Sequence, residues 1–523
     1  MQKLLKGKRG KNKMKKVILG KKLTIEEFMA VVRFHAEVDF SNEYRQRVEK
    51  SRKIVETCVE EERVVYGTTT GFGALVTKTI GKEDAEKLQR NIILTHSTSV
   101  GEPFKEEEVR AIILMVLQSL GMGVSGVRME LLERYRDFLN KDLIPYTPRE
   151  GSVGYLCAEG HIAAALIGEG RAYYRGELSD SKTALHRAGM ESFVLSYKEG
   201  LALLNGTSSP TALAAVAVYD LLKAVESADL VAAMSFEMLG GLLRAYDERV
   251  LNCRPQKELL ETADIIKRML HGSQVTKKAE GTHVQDPLSL RCIPQLHGAV
   301  KKTLRDAWAA VEVEINGCAD NPIVCGAADD PQVFSNGNPD ASYVGIEMDS
   351  ACIAATAAAK MSERRNVRFL DEKLSPYPYF LIKKPGLNSG LMIPQYTQAG
   401  LLNDMKILST PASVDSVTTS ANQEDYVSMG YNACKKALGI AEKLEYVLAI
   451  ELLSAYQAQQ FVDPSLTRGE GTKAVLEAMK DLVPVMEEDI YLYPYLEKLR
   501  DWIHDGGLLE SAGCVLKSEK NRK

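Results

Sequence analysis

The 523-residue chain holds no Cys-x-x-Cys pair; its nine cysteines stand apart at 58, 157, 253, 292, 318, 325, 352, 434 and 514. That scatter argues against a disulfide scaffold or a zinc ribbon and is expected of reduced thiols in a cytoplasmic protein. No His/Cys/Asp cluster has zinc-ligand spacing, so no metal is expected. No apolar run approaches the roughly 18 residues of a membrane span. No apolar segment follows the basic N-terminus, so neither a membrane partner nor a secretory leader is expected. An excess of one charge is missing too: 66 Lys+Arg against 70 Asp+Glu leave a net −4, which gives no electrostatic case for a nucleic-acid partner. Internal repeats and low-complexity linkers are also missing. The one local imbalance is residues 1–16, with eight basic residues, no acid and little apolar surface beyond Leu4 and Leu5. That composition predicts a disordered tail.

What is present is helix. The chain is 45% hydrophobic and 26% charged, an ordinary globular balance. Thr24-Ile-Glu-Glu27 reads as a capping box opening a helix through His35. Val109, Ile112, Ile113, Val116, Leu117 and Leu120 recur at helical spacing. Further helices are predicted over 42–61, 83–95, 129–139, 259–270, 300–316 and 349–367, with very long ones over 211–243 and from the 420s to about 461. Tyr173 to Leu178 reads as a small hairpin, and no convincing sheet is expected. Long helices that are apolar all round bury in a bundle. The fold class is therefore all-α, one unit centred on a long helical bundle. Its parts are the tail 1–16, an N-terminal part 17–205, a central bundle 206–470 and C-terminal helices 471–523.

Several separated motifs carry chemistry. Val64-Val-Tyr-Gly-Thr-Thr-Thr-Gly-Phe-Gly73 is a glycine-rich loop holding Tyr66, flexible enough to move over a site. Thr95-His96, Gly151-Ser-Val-Gly154, Gly168-Glu-Gly170, Asn205, Gln285 to Arg291, Asp320-Asn-Pro322, Asn388-Ser-Gly390 and Asn422-Gln-Glu-Asp425 follow in order. Together they resemble the histidine and phenylalanine ammonia-lyases over roughly residues 20 to 470. The resemblance implies the ammonia-lyase/fumarase-like bundle, a homotetramer whose sites draw on several subunits, and a small-molecule substrate. It also implies residue roles. Tyr66 is the base that takes the β-proton. Arg291 and Asn205 hold the substrate carboxylate, as a planar guanidinium does in bidentate fashion. His96 and Glu424 hold the ring, and Gln285 supports the site. His96 and the Gln423-Glu424-Asp425 spacing lean toward the histidine branch.

Three departures shape the expected substrate. The family's Ala-Ser-Gly, which cyclises to the electrophile methylidene-imidazolone, has no counterpart between Gly154 and His161, where the chain is three residues short. Leu288 stands for a family Tyr and Pro339 for a family Phe. Without an electrophile, a base beside a free α-ammonium takes an N–H proton before the β C–H. A quaternary ammonium has no such proton, so the expectation is a cofactor-free enzyme resembling the ergothionases. These eliminate trimethylamine from ergothioneine, a histidine-type betaine, to give thiourocanate. In that expectation Lys384, with Lys383 as its neighbour, stabilises charge on the sulfur-bearing ring. The alternatives are a histidine ammonia-lyase whose cyclised triad is not spelled in the sequence, an aminomutase, and a non-catalytic homologue. Ergothioneine and hercynine are not separated by these residues.

Overall fold

A computed structural model describes residues 14–516, apart from 72, 79, 82 and 83. Thr24 opens the Ile25–Val32 helix as its sequence predicts: its hydroxyl accepts from the Glu27 N–H at 3.2 Å, and the Glu27 carboxylate accepts from the Thr24 N–H at 2.9 Å. The basic tail lies outside the described residues except for its last three positions. Of these, Lys16 begins a strand, Lys16–Leu19, paired in parallel with Glu37–Phe40. The apolar residues of that strand, Val17 and Leu19, are buried, and this draws the strand into the fold.

The centre is the Ser208–Met238 helix, buried on every side. The Ile293–Glu314, Ser342–Leu370 and Gly430–Ala458 helices pack around it. Its first residues lie near the starts of the Ser342 and Gly430 helices and the end of the Ile293 helix. Its buried charges are all engaged, as burial requires. Asp220 accepts from Arg33, Asp229 from His297 and Lys301, and Glu237 from the Gly469 N–H. Contrary to the expectation of no apolar run of that length, one stretch within Glu199–Met238 meets the length and composition of a membrane span. It lies in the core. The main apolar cluster runs from Val17 to Ala512, with smaller ones around Ile54 and Leu251.

Small sheets decorate this bundle, so the expectation of no sheet needs correcting. The predicted hairpin is real and longer, Arg171–Tyr174 with Glu177–Asp180, and Leu143–Pro145 adds a third antiparallel strand. Ile323–Ala327 pairs with Asp330–Phe334, and Val100–Pro103 with Pro148–Glu150. The two long helices are shorter than read, Ser208–Met238 and Gly430–Ala458. Glycine, serine and strained loop residues occupy the turns before them.

Candidate active site

One end of the bundle gathers four elements. The Ala85–His96 helix ends there. The Cys157–Leu166 helix begins there, and Gly160 lets it approach: a Cβ at that position would lie 2.6 Å from the His96 carbonyl oxygen. Asn205 caps the Glu199–Leu204 helix, and its amide donates to the Asn321 carbonyl at 2.5 Å. The buried Lys198–Asp320 pair ties the same two segments. The fourth element is the turn over 419–424, which carries Glu424.

Glu424 is the hub. Its carboxylate accepts from the Thr419 hydroxyl at 2.6 Å. It is close enough to act electrostatically on Tyr66, His96 and Tyr155. Ser420, Ala421 and Asn422 just before it all sit at positive φ, between 50° and 66°. Such conformations cost of order 1–3 kcal/mol each and persist where the surroundings enforce them. Gly73 of the Tyr66 loop packs on this turn, where a Cβ would meet the Ser420 hydroxyl at 2.4 Å.

Tyr66 is half-buried, and its hydroxyl accepts from the Gly73 N–H at 3.0 Å. Burial raises its phenol above the ordinary tyrosine value; the Gly73 N–H opposes this and the Glu424 charge adds to it. The loop is stapled more than its glycines suggest. Thr69 accepts from the Val65 N–H, Thr70 from the Gly67 N–H, and Gln89 donates to the Gly67 carbonyl. His96 places Nδ1 2.8 Å from the Ile92 carbonyl, an acceptor only, so Nδ1 carries the proton and Nε2 is left as an acceptor. Burial lowers its pKa, partly offset by that carbonyl and by Glu424, and keeps the ring neutral near pH 7.

Tyr155 joins this group, although the motifs assign it no role. It follows Gly154 and precedes Leu156, whose φ of 77° and ψ of −60° form a tight γ-turn closed by the Cys157 N–H donating to the Tyr155 carbonyl at 3.1 Å. Its signal in the sequence was its place just after Gly154, where the chain runs three residues short of the family pattern. Beside it, a cavity of about 320 Å³ is lined by Thr207, Thr211, Glu314, Asp340 and Tyr343 among others. Burial and the neighbouring Asp340 raise the Glu314 carboxyl.

The other expected site residues lie elsewhere in the chain. Arg291 ends the short Leu288–Arg291 helix and Gln285 precedes it, the segment being anchored by Asp286 to the Leu242 N–H and by the Tyr246 hydroxyl to the Leu290 carbonyl. Those anchors stand just beyond the end of the Ser208–Met238 helix. Its 31 residues separate them from Asn205 by about 46 Å at 1.5 Å per residue. Lys383 and Lys384 are exposed beside Leu381, whose carbonyl accepts from Gln457 near the end of the Gly430–Ala458 helix. Lys383 is paired with Glu487 at 3.1 Å. Arg291 keeps a buried Nε without a partner. Of the histidines left without a role, His283 bonds Asp286, His297 bonds Asp229, and His161 is half-buried in the Cys157–Leu166 helix.

The sequence profile of the aromatic amino acid lyases matches residues 23–481. The chain belongs to that family. It is a carbon–nitrogen lyase of the ammonia-lyase class. Histidine ammonia-lyase of Caldanaerobacter subterraneus subsp. tengcongensis is 42% identical over 510 residues, covering 97% of this chain and 99% of that one. The crystal structure of histidine ammonia-lyase from Trypanosoma cruzi superposes with a TM-score of 0.90 at 33% identity, over 96% of both chains. Ergothionase from Treponema denticola superposes at 0.87 with 27% identity, over 94% of this chain and 99% of that one.

These likenesses correct the expected reaction. Relatives named histidine ammonia-lyase stand nearer in sequence than the ergothionase, so trimethylamine elimination from ergothioneine is set aside. The role given to Lys384, charge stabilisation on a sulfur-bearing ring, goes with it. The expectation of an enzyme without cofactor is corrected by the same relatives, because histidine ammonia-lyases work through methylidene-imidazolone. On this chain the residues after Gly154 are Tyr155-Leu156-Cys157, not Ala-Ser-Gly, and Leu156 closes a γ-turn there with the Cys157 N–H donating to the Tyr155 carbonyl. They do not fit that group, and no step below is routed through it.

Proposed function

We propose that the protein is a histidine ammonia-lyase acting in histidine degradation in the cytoplasm, converting histidine to urocanate and ammonia by 1,2-elimination. The observation that carries this reading is the Glu424 hub, a carboxylate within electrostatic reach of both Tyr66 and a neutral His96. An ionised carboxylate only accepts hydrogen bonds, which suits the N–H of an imidazole ring. Tyr66, with its hydroxyl in the loop above, is the group that removes the β-proton; the group that engages the α-ammonium, without which such a base takes an N–H proton first, is not supplied by the described residues at this end. The likeness to curated histidine ammonia-lyases along nearly the whole chain supports the same substrate.

The carboxylate of histidine needs a cation, and the near end of one chain offers none of the expected ones. Arg291 lies beyond the far end of the Ser208–Met238 helix, which is about 46 Å long, with a buried donor unpaired, and buried donors are rarely left so. We therefore place the site between subunits of a homotetramer. Tyr66, His96, Asn205 and Glu424 of one copy meet Arg291 and Gln285 of another. The exposed apolar residues Val313, Tyr343, Ile346, Ile353, Ile393 and Tyr396 along the bundle give such copies a surface to bury.

The test is to incubate the purified protein with histidine and follow the ultraviolet absorbance of the conjugated acrylate. Urocanate formation is expected; its absence, with the protein folded and assembled, contradicts the reading.

A further inference from the structure

Away from the Glu424 hub, a second cavity of about 620 Å³ has His35, Glu106 and Asp142 in its wall, beside the apolar bodies of Phe104, Ile144 and Tyr173. The three polar residues come from different elements. His35 follows the Ile25–Val32 helix, Glu106 opens the Glu106–Leu120 helix, and Asp142 follows the Met129–Asn140 helix. Ser119, near the other end of the Glu106–Leu120 helix, lines the cavity beside Tyr155, so about 20 Å of helix separates the two cavities. The His35 Nδ1 stands 3.2 Å from an Asp142 oxygen, and its Nε2 stands 4.0 Å from a Glu106 oxygen. One donor atom from each of the three residues lies within 4.8 Å of the other two. Arg110 braces the group from the core. It is buried, donates to the Val31, Val32 and Leu139 carbonyls, and donates to the Asp142 carboxylate at 2.8 Å. Glu106 is not satisfied in this way: its ion-pair separation of 4.0 Å is too long for a hydrogen bond, and it makes none among the described residues.

We propose that His35, Glu106 and Asp142 form a binding site for a divalent transition-metal ion, with Zn²⁺ the ion that suits the donor set. One imidazole nitrogen and two carboxylate oxygens are ligands of zinc, whereas Mg²⁺ and Ca²⁺ are taken by oxygen alone. Bonds of about 2.0–2.2 Å put ligands of one ion about 3–4 Å apart, so the three side chains need only a small closure. Arg110 then acts as outer-shell partners of metal ligands do: it fixes the direction of Asp142 from a position that is itself fixed. The two carboxylates outnumber this one buried cation. Arg175, the other arginine in the cavity wall, is stacked on Tyr174. Three protein ligands leave a coordination position open to the cavity, the pattern of zinc sites that take a further ligand. The three residues lie far apart in the chain, which is why no zinc-ligand spacing marks them in the sequence.

The test is calorimetric titration of the full-length, chelator-treated protein with Zn²⁺ and, separately, with Mg²⁺. Wild-type protein is compared with His35→Ala and Glu106→Gln. All three carry the same cysteines, so zinc held by thiols cancels in the comparison. The wild type is expected to bind one zinc ion per chain that each variant loses or holds about 10- to 100-fold more weakly. Zn²⁺ is also expected to raise the melting temperature of the wild type more than that of either variant, because the ion binds the folded chain. Equal zinc binding by all three proteins, no zinc binding by the wild type, or Mg²⁺ bound as tightly as Zn²⁺ overturns the proposal. Glu106→Gln keeps the size of a half-exposed side chain, so it reports even where His35→Ala disturbs the local fold. None of these readings uses urocanate formation, so this proposal and the histidine reading fail separately.

Discussion

The two ends of the bundle are built differently. At the end where the Ser208, Ser342 and Gly430 helices begin, the chain spends three consecutive residues in the left-handed region before Glu424 and a γ-turn at Leu156. Half-buried titratable groups crowd there, namely Tyr66, His96, Tyr155, Glu314 and Glu424. At the opposite end, Arg291, Lys383 and Lys384 sit on short surface segments, and the strongest polar contacts are structural. The Tyr246 hydroxyl is held by the Leu290 carbonyl, Asp286 by the Leu242 N–H, and Asp489 accepts from the Ser389 and Gly390 N–H groups. One end holds acceptors and the tyrosine proposed as the base; the other holds cations. Neither is a complete site for an amino acid, which carries both a ring and a carboxylate. The difference teaches that the long helices act as spacers. On the proposed reading they fix two half-sites at a separation that a second copy of the chain would close.

That comparison is sharpest where the two ends are damaged separately. Removing the base by Tyr66→Phe is expected to lower kcat by about 10²–10⁴-fold with little change in KM, measured by urocanate formation. Damage at the other end is expected to look different. Arg291→Ala removes charge-assisted bonds to a carboxylate, and kcat/KM falls by about 10- to 100-fold, mainly through KM. If Arg291→Ala instead leaves KM unchanged, the carboxylate is held elsewhere and the comparison breaks.

Smaller effects follow from charge. Tyr66 must lose its proton to act, and burial together with the Glu424 charge raises its pKa. Glu424→Gln removes one raising cause, so the limb on which kcat rises with pH moves to lower pH even as ring binding weakens. A limb that moves upward contradicts the electrostatic link. Glu159 reports on the same end from within the core. It is fully buried, accepts from the Ser209 N–H at 2.6 Å at the start of the central helix, and is pushed by burial from 4.5 up to about 7. A raised carboxyl pKa means the unfolded chain gives up its proton first. Stability contributed by this group is therefore present below 4.5, declines between 4.5 and about 7, and is lost above. Glu159→Gln keeps an acceptor and removes the charge. It is expected to flatten that decline and to raise stability at pH 8 by up to about 3 kcal/mol, read as melting temperature against pH.

Much of this was legible in the chain. The capping box at Thr24 and the helix over 106–120 follow from local spacing, and local bonding forms them as read. Tyr66, His96 and Glu424 were singled out by motif, and the fold brings the first two within electrostatic reach of the third. Other features were not legible, for stated reasons. The split between Asn205 and Arg291 is a matter of helix direction and length in space, which residue patterns on either side of a bundle do not encode. Tyr155 was visible only as a departure from a pattern, and its placement depends on a γ-turn formed by longer-range contacts to Leu204 and Ser428. Lys16 looked like part of a charged tail, but alternating burial of Val17 and Leu19 makes it the first residue of a strand. The three-residue gap after Gly154 pointed to a betaine substrate through sound local chemistry. The likeness of the whole chain to histidine ammonia-lyases outweighed it.

The measurement that tests the account most directly is complementation between the two ends. Tyr66→Phe and Arg291→Ala chains, each impaired alone, are co-expressed and assembled at random. If every site takes its base from one subunit and its cation from another, about a quarter of the sites in the mixed oligomers regain both groups, and urocanate formation rises well above the sum of the parents. If the mixed protein is no more active than that sum, base and cation belong to the same chain, and the account of two half-sites held apart by the bundle is wrong.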